Sequence, residues 1–365
     1  MLESFSATGF RNLGSAPFSF APGVTLFSGE NGAGKTNILE AIAVVAGRPS
    51  FRNAESRDMA REGTFFVRAA VRGEGGTDQI AAHWSAGQPR RFSKNGDRAT
   101  FAEAGEALPA VFLAPEDRAL FLGTPSVRRK FLDRLSITLY PAAAETYDRF
   151  RRALAQRNAL LAQPGPDARE LDAWTEEFVR CAQAVAARRE EARALWSERF
   201  AARLASAGAL SDLRAEPKGE PPESYAERAR VLASRERDRG HTLFGPQRDD
   251  LEFTRGGKGF GSSASTGEIM RAAFLVRLSE GETVARARGA VPFYALDDFD
   301  AELSPGAAES LLAALPEGAQ VALTSAHPDA AERCPRRPEA VFEVVEGCAR
   351  PKTLGTTREN MRRIG

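Results

Sequence analysis

A chain of 365 residues, 42% hydrophobic and 27% charged, can bury a large core, and a formal charge of +1 neither requires nor excludes a polyanionic partner. No apolar run approaches a membrane span, and MLESFSATGF lacks the basic-then-apolar layout of a secretion signal, so the expectation is a cytoplasmic protein with no membrane partner. Three scattered cysteines and three histidines argue against a disulfide framework and a transition-metal centre.

Along the chain, GVTLFSG reads as a buried strand running into a loop, and TNILEAIAVVAG as the helix after it, closed by Gly47. TFFVRAAVRG and QIAAHWSAG read as strands, and the Gly-rich residues 73–110 suit antiparallel hairpins. From about residue 115 the period becomes helical. Thr124-Pro125 is a good cap and first-turn pair, followed by Val127, Phe131, Leu132 and Leu135. Tyr147, Phe150, Leu154 and Leu161 mark a second helix. A third, from about Arg169 to Ser206, would reach roughly 55 Å and suggests an arm, ended by EPKGEPPES. Strand character returns in DDLEFTRGG, VPFYALDD, AQVALTSAHPD and AVFEVVEG. The expected organisation is therefore a discontinuous α/β lobe of residues 1–112 and 241–365, interrupted by a helical second domain, 113–240.

The sharpest motif is GENGAGKT, with strand before and helix after. Gly29, Glu30, Asn31, Gly32, Ala33 and Gly34 would turn backbone N–H groups toward nucleotide phosphates, with Asn37 in the first turn of the helix. Lys35 would neutralise charge, and Thr36 would offer its hydroxyl to Mg²⁺. A strand ending in Asp297 and Asp298 in a parallel sheet would emerge beside that loop. One carboxylate would hold the metal and the next would activate water. Ser265, Gly267 and Glu268 open a third candidate, the helix start in SASTGEIMRAAFLVRL. A pure cap would need no glycine two residues after the serine, whereas an anion site would.

The order phosphate loop, helical insertion, S-x-G-[QE] at a helix start, acidic strand resembles the ABC-type ATPases. In that class the serine-glycine turn binds the γ-phosphate held by a second copy. Within it the chain resembles the RecF family of gap-repair ATPases nearly end to end. The resemblance rests on FRNL at 10–13, VFLAPEDRALFLGTPSVRRKFLDRL at 111–135, YDRFRRALAQRNALL at 147–161, GPQRDDLEF at 245–253 and LDDFDAEL at 296–303. It implies an ABC-type lobe like the Rad50 and SMC heads. It also implies an ATP- and Mg²⁺-dependent homodimer on double-stranded and gapped DNA, which hydrolyses ATP slowly and acts with RecR and RecO to load RecA.

Carried over residue by residue, Lys35 and Thr36 hold nucleotide and metal, Asp297 the metal, and Asp298 the attacking water. Ser265, Gly267 and Glu268 act across the dimer, Arg11 and Asn12 approach the nucleotide, and His327 lies near the switch position. Three departures stand out. Arg271 falls one place late after the serine-glycine turn, with Ile269 where a small or polar residue is common. Ala301-Glu302-Leu303-Ser304 replaces the family's S-E-L-D. The switch position often carries Thr in place of His327. They put hydrolysis rate and dimer coupling in question, and an ATP-bound DNA clamp with little hydrolysis is the alternative. A transporter's nucleotide-binding subunit is a further one, disfavoured by the PED and G-x-P-S-x-R-R block.

For DNA the candidates are Arg128, Arg129 and Lys130, with Arg52 and more weakly Arg57, Arg90, Arg91 and Lys94. For the first three a solvated helix face is the plain alternative. Arg157 and Asn158 interrupt an apolar stripe and read better as a buried polar network. With no base-reading motif, contacts would be to the backbone and salt-sensitive.

Overall fold

The computed structural model describes residues 1–301 and 305–353. They form two compact units, one of Met1–Asp117 with the chain from Gly289 onward, the other Arg118–Arg288.

The first unit holds two six-stranded sheets. One runs Cys348–Pro351, Ala340–Val345, Val24–Ser28, Val321–Ser325, Phe293–Leu296, Ala110–Leu113, parallel throughout except at its first pair. Val24–Ser28, Val321–Ser325 and Phe293–Leu296 are buried at every position. Continuous apolar runs are what a parallel sheet covered on both faces demands. The other sheet is antiparallel, in the order Phe18–Ser19, Leu2–Thr8, Thr64–Gly73, Gly76–Ser85, Arg91–Lys94, Asp97–Ala99. Helix Lys35–Val45 touches both sheets, which is why it is apolar nearly all round and has only Thr36 and Asn37 less than fully buried. Its Ile38 and Ile42 join Phe10, Phe27, Phe65 and Phe342 in one core.

The second unit packs helices Pro125–Leu139, Ala143–Leu161, Ala168–Ala205 and Thr266–Arg288 with a three-stranded antiparallel sheet, Lys258–Gly259, Asp250–Arg255, Leu213–Lys218. The 38-residue helix has the expected length but is not a projecting arm. Phe178, Cys181 and Val185 share a core with Tyr147, Phe150 and Phe244. Further along, Trp196 stacks on Phe200, meets Phe131 edge-on, and donates its indole N–H to the Val276 carbonyl at 3.1 Å. The apolar stripe continues to Leu204, so the whole second half stays packed.

Nor does EPKGEPPES end this helix: it stops at Ala205, and Leu213–Lys218 is a strand paired with Asp250–Arg255. Pro217 is tolerated because that strand lies at the sheet's edge. Residues 241–288 therefore group with the helical unit, although the sequence had assigned them to the α/β lobe. The strand pairing and the Trp196–Val276 contact carry them there.

Candidate functional site

The phosphate loop leaves Val24–Ser28 and enters the helix at Lys35. Gly34 sits at φ 114, in the left-handed region, and a β-carbon there would lie 2.9 Å from Asn12 Oδ1 and 3.1 Å from Gly347 Cα. Only glycine fits both demands. Gly347, in the turn before Cys348–Pro351, donates its N–H to the Ala33 carbonyl at 2.7 Å. Asn12 donates to the Gly32 carbonyl at 3.3 Å and accepts from Asn37 Nδ2 at 2.8 Å. The loop is thus held from outside by two segments distant in the chain. Inside it, the buried Lys35 ammonium lies across the carbonyls of Gly29 and Glu30 at 2.8 and 2.9 Å.

Asp297 follows Phe293–Leu296, but that strand is not a neighbour of Val24–Ser28, because Val321–Ser325 lies between them. The carboxylate nonetheless reaches the loop: Thr36 Oγ1 donates to Asp297 Oδ1 at 3.0 Å. The intervening strand supplies Thr324, whose hydroxyl donates to the same Oδ1 at 2.6 Å and accepts the Asp298 N–H at 2.8 Å. Burial pushes the Asp297 carboxyl up to about 6; the Asp298 charge adds to this, and the two hydroxyls pull the other way. Asp298 itself takes φ 45, with its carboxylate half-exposed and without a hydrogen bond among the described residues.

The donor set suits Mg²⁺. A hydroxyl and a carboxylate 3.0 Å apart are hard oxygen ligands, and Mg²⁺ at a phosphate site takes few of them from protein. Among the described residues no group of three or more His, Cys, Asp or Glu offers an all-protein cage. Beyond Asp298, Ser325 Oγ donates to Asp300 Oδ2 at 2.8 Å and accepts the N–H of the exposed His327 at 3.0 Å. Of the loop that departs from S-E-L-D, Glu302, Leu303 and Ser304 lie outside the described residues.

Arg11, at φ 43, turns its guanidinium onto Glu40, a fully buried carboxylate of the phosphate-loop helix that also accepts Ser50 Oγ at 2.5 Å. Asn12, not Arg11, is the residue that touches the loop. Arg52, singled out for DNA, donates to Asn37 Oδ1 at 3.2 Å and lies 3.9 Å from Glu40 and Glu116 carboxylate oxygens. Glu40, Ser50, Thr324 and Gly347 were not singled out in the sequence. The Thr-Ser pair ending a buried strand is the only signal that pointed to any of them.

In the second unit, Ser265 precedes helix Thr266–Arg288 and forms a capping box. Its Oγ accepts the Glu268 N–H at 3.3 Å, while Glu268 Oε2 accepts the Ser265 N–H at 2.8 Å and its hydroxyl at 2.9 Å. The Arg255 guanidinium at 2.7 Å, then these bonds, hold the Glu268 carboxyl at about 2. The serine is therefore also a structural cap, the role that the glycine two residues later argues against in the sequence. The glycine is different: a β-carbon on Gly267 would meet nothing within 4 Å among the described residues beyond its own helix turn. The chain's own packing does not require glycine there.

Among the DNA candidates, Arg128 is corrected to an internal clamp. It grips Asp250 with two nitrogens at 2.7 and 2.9 Å and donates to the Leu120 and Gly123 carbonyls. Arg129 is half-buried and donates to the Asp249 carbonyl at 2.7 Å, and Lys130 is exposed. Arg157 and Asn158 do form a buried network: the guanidinium binds Glu236 at 2.6 Å and Thr242 at 2.8 Å, and Asn158 accepts from Thr242.

A complete phosphate loop, a buried carboxylate against its Thr36, and a parallel sheet backed by an antiparallel one define a P-loop ATPase of the ABC and SMC-head class. The RecF/RecN/SMC N terminal domain family matches residues 1–349. Similar proteins include the DNA replication and repair protein RecF of Mesorhizobium japonicum, 34% identical over 336 residues, covering 87% of this chain and 88% of the relative. RecF of Deinococcus deserti is 36% identical over 310 residues, covering 83% and 84%. The fold is shared with a recombination mediator protein RecF-ATP structure at TM-score 0.86 and 24% identity, over 96% of this chain and 97% of that one. The chain belongs to the RecF family of DNA replication and repair proteins. No helix among the described residues is long and apolar enough to cross a membrane.

Proposed function

We propose that this protein is an ATP-gated DNA-binding ATPase of recombinational gap repair. Two copies close face to face on ATP at gapped or single-to-double-strand junctions, and slow, DNA-stimulated hydrolysis reopens them. RecR and RecO are the proposed partners, with loading of RecA as the outcome. The observation that carries the reading is the 3.0 Å contact of Thr36 with Asp297 at the mouth of the phosphate loop, which matches what Mg²⁺-nucleotide needs.

Lys35, with the loop's N–H groups, binds the β- and γ-phosphates, and Thr36 and Asp297 would hold Mg²⁺. When bound, the metal would supply positive charge to offset that of the phosphates. Water attacks the γ-phosphorus as the bond to the bridging oxygen breaks, and Asp298 takes the proton. Ser265 and Gly267 of the second copy contact the γ-phosphate. Lys130, exposed, and Arg129 meet DNA phosphates.

One observation favours the alternative of an ATP-bound clamp with little hydrolysis: the Ser265 hydroxyl is already committed to Glu268. Sizing the protein with and without ATP-Mg²⁺ tests the pairing, with Lys35→Arg as control. Doubling of mass in wild type alone is expected, and no change overturns the dimer. Single-turnover hydrolysis with Asp298→Asn separates the two readings. Equal rates in wild type and variant would make the clamp the better one.

A further inference from the structure

We propose that Thr324 is the positioning residue of this site, a single hydroxyl that fixes both the carboxylate of Asp297 and the backbone pose of Asp298. The inference deepens the ATPase reading above and rests on it only for its turnover arm.

A hydroxyl has one proton to give and can accept on its oxygen. Thr324 spends the proton on Asp297 Oδ1 at 2.6 Å and accepts the Asp298 N–H at 2.8 Å. Both capacities are used on consecutive residues of one acidic pair, which ties the two poses together. The residue is fully buried, and as a β-branched side chain in a strand it has few rotamers open to it, so the oxygen's place is set by the sheet. Because Thr36 donates to the same Oδ1, two hydroxyls converge on one carboxylate oxygen. Oδ2 is left without a hydrogen bond among the described residues, as the oxygen free to bind. Asp298 pays for a left-handed backbone at φ 45, where a residue with a side chain is strained, and the Thr324 bond offsets that strain.

The strand order explains why this position has the task. Val321–Ser325 pairs with Val24–Ser28 on one side and Phe293–Leu296 on the other. Among the described strands it is the one in direct register with both the strand that starts the phosphate loop and the strand that ends in the acidic pair. The next residue works in the same way, its carbonyl accepting the Gly29 N–H at 3.3 Å while its hydroxyl holds Asp300.

Thr324→Val keeps shape and removes the hydroxyl, and Thr324→Ser restores it. Three quantities are measured for each: binding of a fluorescent ATP analogue without metal, the gain in that affinity on adding Mg²⁺, and kcat for ATP. Metal-free affinity should stay within about twofold of wild type in both variants, because no contact to the loop's own backbone is lost. In Thr324→Val the Mg²⁺ gain and kcat should fall about tenfold, the scale of one hydrogen bond, with KM for ATP little changed. Thr324→Ser should recover both to within about threefold.

A merely structural role would lower the active fraction, read as fewer binding sites per protein and a lower apparent kcat, and would leave both the metal-free affinity and the Mg²⁺ gain unchanged. The proposal is overturned if Thr324→Val behaves as wild type, or if Thr324→Ser is as impaired as Thr324→Val. Should wild type bind ATP-Mg²⁺ but never turn over, the ATPase reading fails, while the Mg²⁺ gain still decides for or against Thr324.

Discussion

The phosphate loop and the serine-glycine turn are both helix starts suited to an anion, yet they are built on opposite terms. At Gly34 the chain closes in: a left-handed backbone, Asn12 at 2.9 Å and Gly347 at 3.1 Å from any β-carbon. At Gly267 a β-carbon would meet nothing within 4 Å among the described residues beyond its own helix turn. One glycine is demanded by intramolecular packing. The other costs some helix stability against alanine with no packing contact among the described residues to offset it. A glycine that its own chain does not require leaves room for something else, and this is the physical support for the proposal that the turn acts on a second copy's nucleotide.

The sharpest way to break the comparison is to add the same methyl group to each. Gly34→Ala should lose nucleotide binding, by about a hundredfold or more in affinity, because loop and backbone must both move. Gly267→Ala should bind nucleotide as wild type and melt at an equal or slightly higher temperature, yet fail to pair on ATP. Titrating nucleotide and sizing the protein checks both, and pairing by Gly267→Ala would remove the proposed distinction.

The arginines of helix Pro125–Leu139 extend the contrast to the DNA candidates. Arg128→Ala strands Asp250 and two carbonyls in a mostly buried place, so about 3 kcal/mol of stability should go, read by denaturant unfolding. Lys130→Ala should leave stability alone and weaken DNA binding, with the salt dependence reduced by about one ion.

The smallest effect concerns Asp297. Its folded pKa of about 6 lies above the ordinary 3.8, so the folded state prefers the protonated form. In metal-free protein its contribution to stability falls as pH rises from about 4 to 6 and stays low above that. Asp297→Asn should therefore raise the metal-free melting temperature at pH 7.5 by a few degrees and flatten that pH dependence. A lower melting temperature in the variant would mean that hydrogen bonding outweighs burial at this carboxylate.

Much of this was legible in the sequence wherever one residue type answers a local demand. GENGAGKT, the Asp-Asp pair after an apolar strand, and the helices beginning near Pro125 and Ala168 carry their own periodicity and punctuation. The S-x-x-E capping box was equally present in the letters, and the glycine inside it drew the reading toward function alone. Arg128 shows the limit: in the sequence it is the first of three consecutive cations, and only the arrival of Asp250, 122 residues later, turns it inward.

The chain by itself determined the phosphate loop, the acidic pair and the family, because these are contiguous motifs whose chemistry depends on residues next to one another. Tertiary structure alone decided that Val321–Ser325 lies between the two motif strands, so that Thr324 holds the acidic pair. It alone placed residues 241–288 with the helices and packed the long helix along its second half. Strand order and helix partners follow from which apolar faces find each other across hundreds of residues, and no local period records that choice.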